Sequence, residues 1–450
     1  MTEELPHPWL RSERPVPRLI LRPLERFLSQ EAGSAVLLIV AAVAGLLWAN
    51  LGTASYQRLW MATIKVDIGG FVVNDDLRHV VNELLMAVFF YVVALEVKRE
   101  ALFGALREVR TAAVPAAAAL GTMVGAAAAY VAVNAAGGDL RGWAIPIATD
   151  IAFALGVLGL VGTRAPRALR AFLLTLAVVD DLATIVVIAV VFTDDLSLAW
   201  LAAAVGCVLL IVAARRVGIR SLVPYVLLAG ALWLAVFESG IHATIAGVVL
   251  GLLTPAVAWY SPQSTGAVIT EQLSRIPGSD HEIGEGTLLE TARLATEAVS
   301  PLRRMEHQLG PWTAFLVLPL FALANAGVPV SIGDVTGVLT TRVGLGIVLG
   351  LVLGAPLGGI IFAWSIVRSG LGRVPPGLDW PAIVSVTPLK GIGFTIAIFI
   401  SSLTFDEPTL QDQATVAILA ASAAAALIGL AVLGGRPFVL NRRRRQRSIA

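Results

Sequence analysis

Long stretches with almost no charged side chains recur along this chain of 450 residues, separated by short gaps. An α-helix needs about 20 consecutive apolar residues to cross the hydrocarbon core of a membrane. The chain is 57% hydrophobic and 14% charged, whereas a soluble globular protein averages about 45–50% apolar and about 25% charged. These values exclude an ordinary soluble enzyme and predict an all-α polytopic membrane protein with about 12 transmembrane helices. The predicted spans cover residues 32–50, 77–97, 111–137, 142–163, 168–193, 196–214, 221–237, 239–259, 310–332, 343–367, 380–405 and 413–435.

The distribution of Lys and Arg predicts the orientation, because cytoplasmic loops retain positive charge. Nearly all of the 33 Lys and Arg residues fall in the N-terminal arm, in alternate loops and in the tail. The opposite loops hold only Arg58, Lys65, Arg78, Arg141 and Arg342. We therefore expect both termini to be cytoplasmic.

The expected organisation is a single transmembrane domain with two cytoplasmic ends. A charged, proline-containing arm covers residues 1–30, the transmembrane domain covers 31–436, and a basic tail covers 437–450. The arm contains no apolar run, so we expect no cleavable signal peptide. The only cysteine, Cys207, excludes an intrachain disulfide and a cysteine-based metal site.

Two regions are too polar to be spans. Residues 260–309 form the longest loop, which we interpret as a solvated cytoplasmic connector within the membrane domain. Residues 64–73 alternate around Gly69-Gly70, a pattern typical of a β-hairpin, although an irregular loop fits nearly as well. A hairpin at the surface offers strand edges that can pair with another subunit.

Three acidic residues lie towards the middle of predicted spans: Asp150 in the fourth, and Asp180 and Asp181 in the fifth. A charge in the membrane interior costs several kcal/mol, which makes each acid a functional candidate. Neighbouring helical residues point about 100° apart, so Asp180 and Asp181 meet different surroundings. The alternative, that these acids only lock helices together, is disfavoured because Ser, Thr or Asn does so at lower desolvation cost.

The chemistry of a buried carboxyl group predicts exchange transport. Burial favours its protonated form, and a second carboxylate nearby favours that form further. Carboxylate oxygens are also good ligands for hard cations. One acidic site can therefore hold either a proton or a small cation, and this mutually exclusive occupancy is enough to couple their transport.

Two predicted spans contain helix breakers beside a charge. Pro146 lies four residues before Asp150, and the segment 387–395 places a proline, two glycines and Lys390 inside the eleventh span. Paired interruptions in two halves are typical of an inverted-repeat transporter with its site at the membrane midplane. Helix N-termini favour an acid and C-termini a base, so Asp150 and Lys390 are expected counter-charges at the breaks.

Several long motifs in order resemble the bacterial NhaA-type sodium/proton antiporters over roughly residues 28–435. The resemblance implies inverted repeats with two discontinuous crossing helices, and a homodimer joined by the 64–73 hairpin in the bacterial plasma (inner) membrane. It also implies pH-regulated exchange of cytoplasmic Na⁺ or Li⁺ for external protons, with no resident cofactor. The motifs are Met86-Ala-Val-Phe-Phe90, Leu95-Glu-Val-Lys-Arg-Glu100, Gly142-Trp-Ala-Ile-Pro146, Ala148-Thr-Asp-Ile-Ala-Phe-Ala-Leu-Gly156, Val179-Asp-Asp181, Ser239-Gly-Ile-His-Ala-Thr244, Leu318-Pro-Leu-Phe-Ala-Leu-Ala-Asn-Ala-Gly327 and Gly391-Ile-Gly-Phe-Thr395.

By position in these motifs, Asp181 is implied as the principal cation ligand and proton carrier, with Asp180 as its partner. Asp150 and Thr149 are implied as companions at the helix break. A cytoplasmic pH-response cluster is implied for Glu96, Arg99, Glu100, Arg303, Glu306 and His307, although each of these residues alone is an ordinary loop charge. His242 also lies in a matching motif, but a histidine there is more simply a packing residue.

One position departs from the family pattern. The tenth span of the family carries a lysine before Pro-Leu-Gly, understood to pair with the residue matching Asp180, and this chain has Ala355 there. Lys390 stands where the family commonly has an uncharged residue. We hypothesise that Lys390 partly replaces the missing positive charge, either by balancing the broken-helix C-termini or by approaching Asp180. The number of protons exchanged per cation is therefore open.

Competing functions are a sodium-coupled solute symporter on a related fold and, less favoured, an intramembrane enzyme that holds Mg²⁺ on Asp180 and Asp181. Metal-dependent prenyl or phosphatidyl transferases need further acids about one helical turn away, and residues 182–185 supply none. A channel is disfavoured because buried acids and broken spans suit alternating access. Nothing favours nucleic-acid binding, and the arginines at 442–445 suit lipid headgroups better.

Overall fold

The computed structural model describes residues 31–68, 71–104, 108–160, 166–193, 196–274, 281–329 and 337–435. The predicted arm, residues 1–30, and the predicted basic tail, residues 437–450, lie outside these described residues.

Helices make up most of the described chain. The first are α1 (Glu31–Leu51), α2 (Thr53–Trp60), α3 (Leu77–Val80), α4 (Met86–Phe103), α5 (Val109–Asn134), α6 (Ile151–Leu160), α7 (Arg167–Val191), α8 (Leu198–Arg216), α9 (Leu222–Phe237) and α10 (Thr244–Leu253). The chain continues with α11 (Pro262–Ser274), α12 (His281–Glu297), α13 (Pro301–Trp312), α14 (Leu318–Asn325), α15 (Arg342–Leu349), α16 (Ala355–Arg368), α17 (Trp380–Val386), α18 (Phe394–Thr404) and α19 (Pro408–Gly434). The π-helical turns Val81–Leu85, Thr313–Val317 and Gly350–Gly354 join α-helices, and 3₁₀ segments cover Leu140–Ile147 and Thr387–Gly391.

Within the described residues, eight helical segments are long and apolar enough to cross a membrane, or ten when each of two bent pairs counts as one span. The seventh and eighth predicted spans correspond to α9 and α10, apolar helices of 16 and 10 residues. These are shorter than the roughly 20 residues of a straight crossing. The prediction of an all-α polytopic membrane protein is confirmed, whereas the count of twelve spans and the inverted repeats stay predictions.

Both predicted interruptions are present. The 3₁₀ segment that contains Pro146 ends at Ile147, and the chain bends by 44° before α6. The second 3₁₀ segment ends at Gly391 and meets α18 at 45°. Proline lacks the N–H that a continuing helix needs, and Ala148 and Ile392 have extended backbone at the two breaks.

The hairpin prediction is also confirmed. Strands β1 (Thr63–Ile68) and β2 (Phe71–Asp76) pair antiparallel, with Thr63 opposite Asp76 and Ile68 opposite Phe71. Gly69 and Gly70 lie outside the described residues. In the described part of the chain, these two strands form a sheet of their own.

The described residues of the predicted connector over 260–309 are mostly helical rather than irregular, and its role as a solvated cytoplasmic connector stays a prediction. It contains α11, α12 and the start of a candidate span at Pro301, earlier than the predicted residue 310. Ser300 accepts a hydrogen bond from the Arg303 N–H at 3.4 Å, and Pro301 follows at the first helical position. Serine followed by proline is a common helix start, a signal that the hydropathy pattern alone does not contain.

The chain divides into two compact units. The first comprises Met1–Leu85, Ala105–Phe192 and Ala314–Ala450, and the second comprises Met86–Gly104 and Thr193–Thr313. The first unit contains both broken spans, and the second contains α8 to α13.

Inside the first unit, α5 packs against α16 with almost nothing between their backbones. A Cβ added at Gly125 would lie 2.2 Å from the Gly354 carbonyl oxygen, and one at Gly358 would lie 2.0 Å from the Gly121 carbonyl oxygen. The spacing Gly-x-x-x-Gly occurs at Gly121 and Gly125 in α5 and at Gly354 and Gly358, which span the start of α16. This pattern allows close helix pairs in membranes. This contact fixes the tenth predicted span against the third.

Candidate functional site

The two broken spans contact each other at their breaks. The backbone N–H of Asp150 donates to the carbonyl oxygen of Ile392 at 2.7 Å. Both groups lie at interruptions, where an intact helix would have satisfied them internally. The pairing therefore replaces helical hydrogen bonds that the breaks remove.

Asp150 lies between the N-termini of two half-helices. Its Oδ1 accepts from the Phe153 N–H at 3.0 Å, which caps α6, while its Oδ2 accepts from the Thr395 hydroxyl at 2.6 Å and the Thr395 N–H at 3.3 Å. The side chain is 2% exposed. Helix N-termini carry partial positive charge, so they stabilise a carboxylate here, as the sequence argument expects for this position.

The N-terminus of α18 has a second cap. The Phe394 N–H donates to the Ser422 hydroxyl oxygen of α19 at 3.2 Å. The first two amides of α18 therefore bind to Ser422 and Asp150, from two other spans.

Lys390, Asp180 and Thr149 form a buried polar triad. The Lys390 Nζ donates to Asp180 Oδ2 at 2.8 Å and also donates to the Thr149 hydroxyl oxygen, and that hydroxyl donates to the same Asp180 Oδ2. The three residues are at most 2% exposed. Lys390 lies in the second 3₁₀ segment, Thr149 in the break before α6, and Asp180 on α7, so both broken spans and the fifth predicted span contribute.

The other oxygen of Asp180 is unengaged. Among the described residues, Asp180 Oδ1 is buried and has no hydrogen-bond partner. A buried polar atom without a partner costs roughly 1–3 kcal/mol and invites an explanation such as a ligand. Asp181 follows on the same helix and is 5% exposed.

Ala355, the residue at the position of the family lysine, lies on a segment next to the one that contains Lys390. Ala355 is 1% exposed and begins α16, directly after the π-helical turn that contains Leu351. A Cβ added at Gly391 would lie 2.4 Å from the Leu351 carbonyl oxygen, so the 3₁₀ segment with Lys390 packs against that turn. Of the two places considered for Lys390, the structure shows it at Asp180.

The residues of the implied pH-response cluster are only partly brought together, within the second unit. Arg99 lies 3.1 Å from Glu100, 3.3 Å from Glu306 and 3.8 Å from Glu96, measured between side-chain nitrogen and carboxylate oxygen. Arg303 and His307 are exposed, on the same helix as Glu306. His242 is half-buried in the turn before α10.

Sequence reasoning missed one buried acid. Glu83 is 5% exposed and lies in the π-helical turn Val81–Leu85. It lies towards the start of the second predicted span, residues 77–97, where a long acidic side chain can reach water, so it did not stand out. Its position inside a predicted span was the available signal.

The chain is similar to proteins of one family over almost its whole length. The profile of the family described as Na⁺/H⁺ antiporter 1 matches residues 25–433. A protein named Na(+)/H(+) antiporter NhaA from Rhodopirellula baltica is 41% identical over 420 residues, 92% of this chain and 94% of the relative. Proteins named Na(+)/H(+) antiporter NhaA 2 are 43% identical over 424 residues in Myxococcus xanthus, covering 93% of this chain and 90% of the relative, and 40% identical over 435 residues in Sorangium cellulosum, covering 95% and 92%.

Proposed function

Because the chain belongs to the Na⁺/H⁺ antiporter 1 family, we propose that its exchange of Na⁺ for H⁺ runs by competition between the two ions at Asp180 and Asp181. The protein is a multi-pass membrane transporter and not an enzyme. Li⁺ is a smaller hard cation with the same preference for oxygen ligands, and we expect it to use the same site. The transported ions are the cargo, and the proposal requires no resident cofactor.

The observation that carries this proposal is that the two carboxylate oxygens of Asp180 have different surroundings. One carboxylate oxygen binds Lys390 and Thr149, and the other is buried without a partner in the described part of the chain. Asp181 adds a second buried carboxyl group on the same helix. Two carboxyl groups with a free oxygen supply ligands for a small cation that sheds its water.

Each residue has a distinct part in the proposed exchange. Asp181 is the principal cation ligand and proton carrier, and Asp180 shares the cation. Thr149 offers a hydroxyl oxygen beside them. Asp150 is already bound to the amides and hydroxyl at two half-helix N-termini, so its main effect on the cation is to hold the two breaks together.

Lys390 supplies charge compensation when the site is empty. A lone buried carboxylate is costly, and an opposite charge in contact offsets much of that cost. A cation that binds Asp180 competes with the ammonium group of Lys390 as well as with protons. A proton that returns to Asp181 after the cation leaves restores the starting state.

The remaining features of transport are also part of the proposal. The excess of Lys and Arg on one side favours cytoplasmic termini in a bacterial plasma membrane, with Na⁺ or Li⁺ leaving the cytoplasm as external protons enter. Large outward apolar side chains such as Val190, 75% exposed, and Leu427, 68% exposed, suit membrane lipids as surroundings. The ion pairs of Arg99 with Glu96, Glu100 and Glu306 support a pH-responsive role for that cluster. Arg303 and His307 are exposed residues of the helix that contains Glu306.

The test is reconstitution into lipid vesicles with an imposed pH gradient. Addition of Na⁺, Li⁺ or K⁺ in turn, with and without a voltage clamp, measures cation-evoked proton movement and its electrical sign. Sodium-dependent uptake of an organic solute without proton movement would instead favour the symporter.

Asp181→Asn is expected to abolish cation-evoked proton movement, because an amide neither releases a proton nor offers a charged oxygen to the cation. The matched control is Asp406→Asn, the same change at an exposed acid in the turn after α18, and it should transport at the wild-type rate. Wild-type transport by Asp181→Asn would refute the site assignment.

A further inference from the structure

Two candidate spans contain a π-helical turn at the point in the sequence where one compact unit ends and the other begins. The turn Val81–Leu85 ends at Leu85, the last residue of the first segment of the first unit. The turn Thr313–Val317 begins at Thr313, the last residue of the second unit before the chain returns to the first. Both turns lie inside candidate spans, which cover Leu77–Phe103 and Pro301–Asn325.

A π-helical turn is a natural place for a span to change shape. Its hydrogen bonds join residues i and i+5, so each turn contains one more residue than an α-helical turn. Such turns are rare overall, but those that occur are often found at functional sites. Helix bends concentrate at such turns rather than along regular helix. The two turns are therefore the points at which these spans can bend most easily.

A reciprocal pair of side-chain amides joins the two spans beside these turns. The Asn82 Nδ2 donates to Asn325 Oδ1 at 3.1 Å, and the Asn325 Nδ2 donates to Asn82 Oδ1 at 2.7 Å. Asn82 is 9% exposed and lies in the first π-helical turn. Asn325 ends α14, the helix that follows the second turn. Both residues belong to the first unit.

Asn325 lies at a helix end that other hydrogen bonds, separate from the amide pair, hold in place. The Tyr56 hydroxyl donates to the carbonyl oxygens of Leu323 at 3.0 Å and Ala324 at 2.6 Å, and Asn50 Nδ2 donates to the Val328 carbonyl oxygen at 3.0 Å. The C-terminal end of α14 is thus fixed to α1 and α2. The Asn82 side chain ties the first π-helical turn to this fixed end.

Contacts lead from the amide pair to the candidate cation site. Asn325 Nδ2 also donates to the Phe321 carbonyl oxygen one turn earlier, at 2.9 Å. The Phe321 ring meets the Phe399 ring edge-on, with centroids 6.3 Å apart. Phe399 and Thr395 lie four residues apart on α18, on one face of that helix, and Thr395 binds Asp150. A series of packed side chains and hydrogen bonds of this kind is able to carry coupling between two sites.

We propose that the Asn82–Asn325 pair is a latch that opens and closes in each transport cycle and lets the two spans bend at their π-helical turns. This proposal rests on the proposed function, because the latch would control when the cation site changes its access from one face of the membrane to the other. With the latch closed, the bend is blocked and the cation site still binds its ion. With the latch open, the bend completes the change of access.

The test locks the latch by a reversible cross-link. Cys207→Ser removes the single native thiol, and Asn82→Cys with Asn325→Cys adds a pair for a short bis-methanethiosulfonate reagent. The two single-cysteine variants, treated identically, are the controls. Transport is measured in vesicles, and binding of radioactive Na⁺ is measured on the purified protein.

We expect the cross-link to slow cation-evoked proton movement by about tenfold or more, within the range of coupling between linked sites, while Na⁺ binding is retained. A reducing agent should restore transport. Transport at the uncross-linked rate would overturn the latch, because a closed pair would then permit the full cycle. Loss of Na⁺ binding together with transport would overturn it as well, since the pair would then be a static support of the site.

A second measurement keeps the latch separable from the proposed function. The rate of cross-linking, read on a gel, needs no transport, and we expect Na⁺ to change it at least about fivefold, because ion binding at the coupled site shifts the latch between open and closed. An unchanged rate across Na⁺ concentrations that saturate binding would contradict the latch. Absence of Na⁺/H⁺ exchange in the untreated wild-type protein would refute the function itself, whatever the cross-linking shows.

Discussion

At the scale of single residues, the buried ammonium group of Lys390 is the positive charge paired with the acidic candidate site. It contacts Asp180 at 2.8 Å, with both side chains at most 2% exposed. Removal of one partner from a buried ion pair leaves the other charged and desolvated, whereas removal of both is often tolerated. Lys390 therefore affects both the stability of the fold and the charge of the site. A pair of variants separates these two effects.

Lys390→Ala is expected to destabilise the protein by roughly 3–5 kcal/mol, because Asp180 loses its cation. Thermal unfolding in detergent measures this loss, and transport assays measure the accompanying change in the pH profile. Lys390→Ala combined with Asp180→Asn removes both charges and should be more stable than Lys390→Ala alone. Unchanged rate, pH profile and stability in Lys390→Ala would show that Lys390 does not replace the family lysine.

Sequence reasoning found the charged residues of the site but not all of their contacts. Asp150, Asp180 and Asp181 stand out because a charge inside an apolar run is costly. The partner of Lys390 depends on the path of the 3₁₀ segment Thr387–Gly391, which hydropathy does not encode. Glu83 was missed because a charge near the end of a span is ordinary.

At the scale of elements, close contact between α5 and α16 shapes the first unit. Gly121, Gly125, Gly354 and Gly358 bring the backbones within reach of one another. This contact positions the π-helical turn Gly350–Gly354, against which the segment with Lys390 packs.

Gly125→Ala is expected to destabilise the protein by about 1–3 kcal/mol, because the added methyl group meets the Gly354 carbonyl oxygen and forces the helices apart. The control is Gly206→Ala in α8, where an added Cβ meets nothing within 4 Å and should be neutral or stabilising by up to about 1 kcal/mol. Thermal unfolding and transport of both variants provide the comparison. Equal stability of the two variants would contradict the close packing.

Elements were predicted from hydropathy with uneven success. Breaks at Pro146 and at 387–391 were predictable because proline, glycine and charge coincide there. The π-helical turns such as Thr313–Val317 have no comparable signature, because they depend on how neighbouring helices pack. The helices in residues 260–309 were missed because exposed, polar helices lack an apolar run.

At the scale of the whole molecule, the described hairpin is a two-stranded sheet with free outer edges within the described residues. Unpaired strand edges favour pairing with another chain. This supports the expectation, implied by the family resemblance, of a homodimer joined through residues 64–73.

If two copies pair through this hairpin, replacement of residues 64–73 by a short Gly-Ser linker is expected to leave a monomer, because the strand edges are removed. Light scattering of the detergent-solubilised protein measures the mass. Replacement of the mostly exposed helix α11 (Pro262–Ser274) in the second unit serves as the control. A hairpin-deleted protein that remains a dimer would place the interface elsewhere.

The glycine contact between α5 and α16 also constrains how the molecule can rearrange. Two helices whose peptide groups touch cannot slide past each other without first separating, and separation would open an unfilled gap in the bilayer interior. We therefore expect the two helices to move as one rigid body during transport. Gly391, next to Lys390, packs against the Leu351 carbonyl at the start of the same pair, so we expect the ammonium group of Lys390 to move with them.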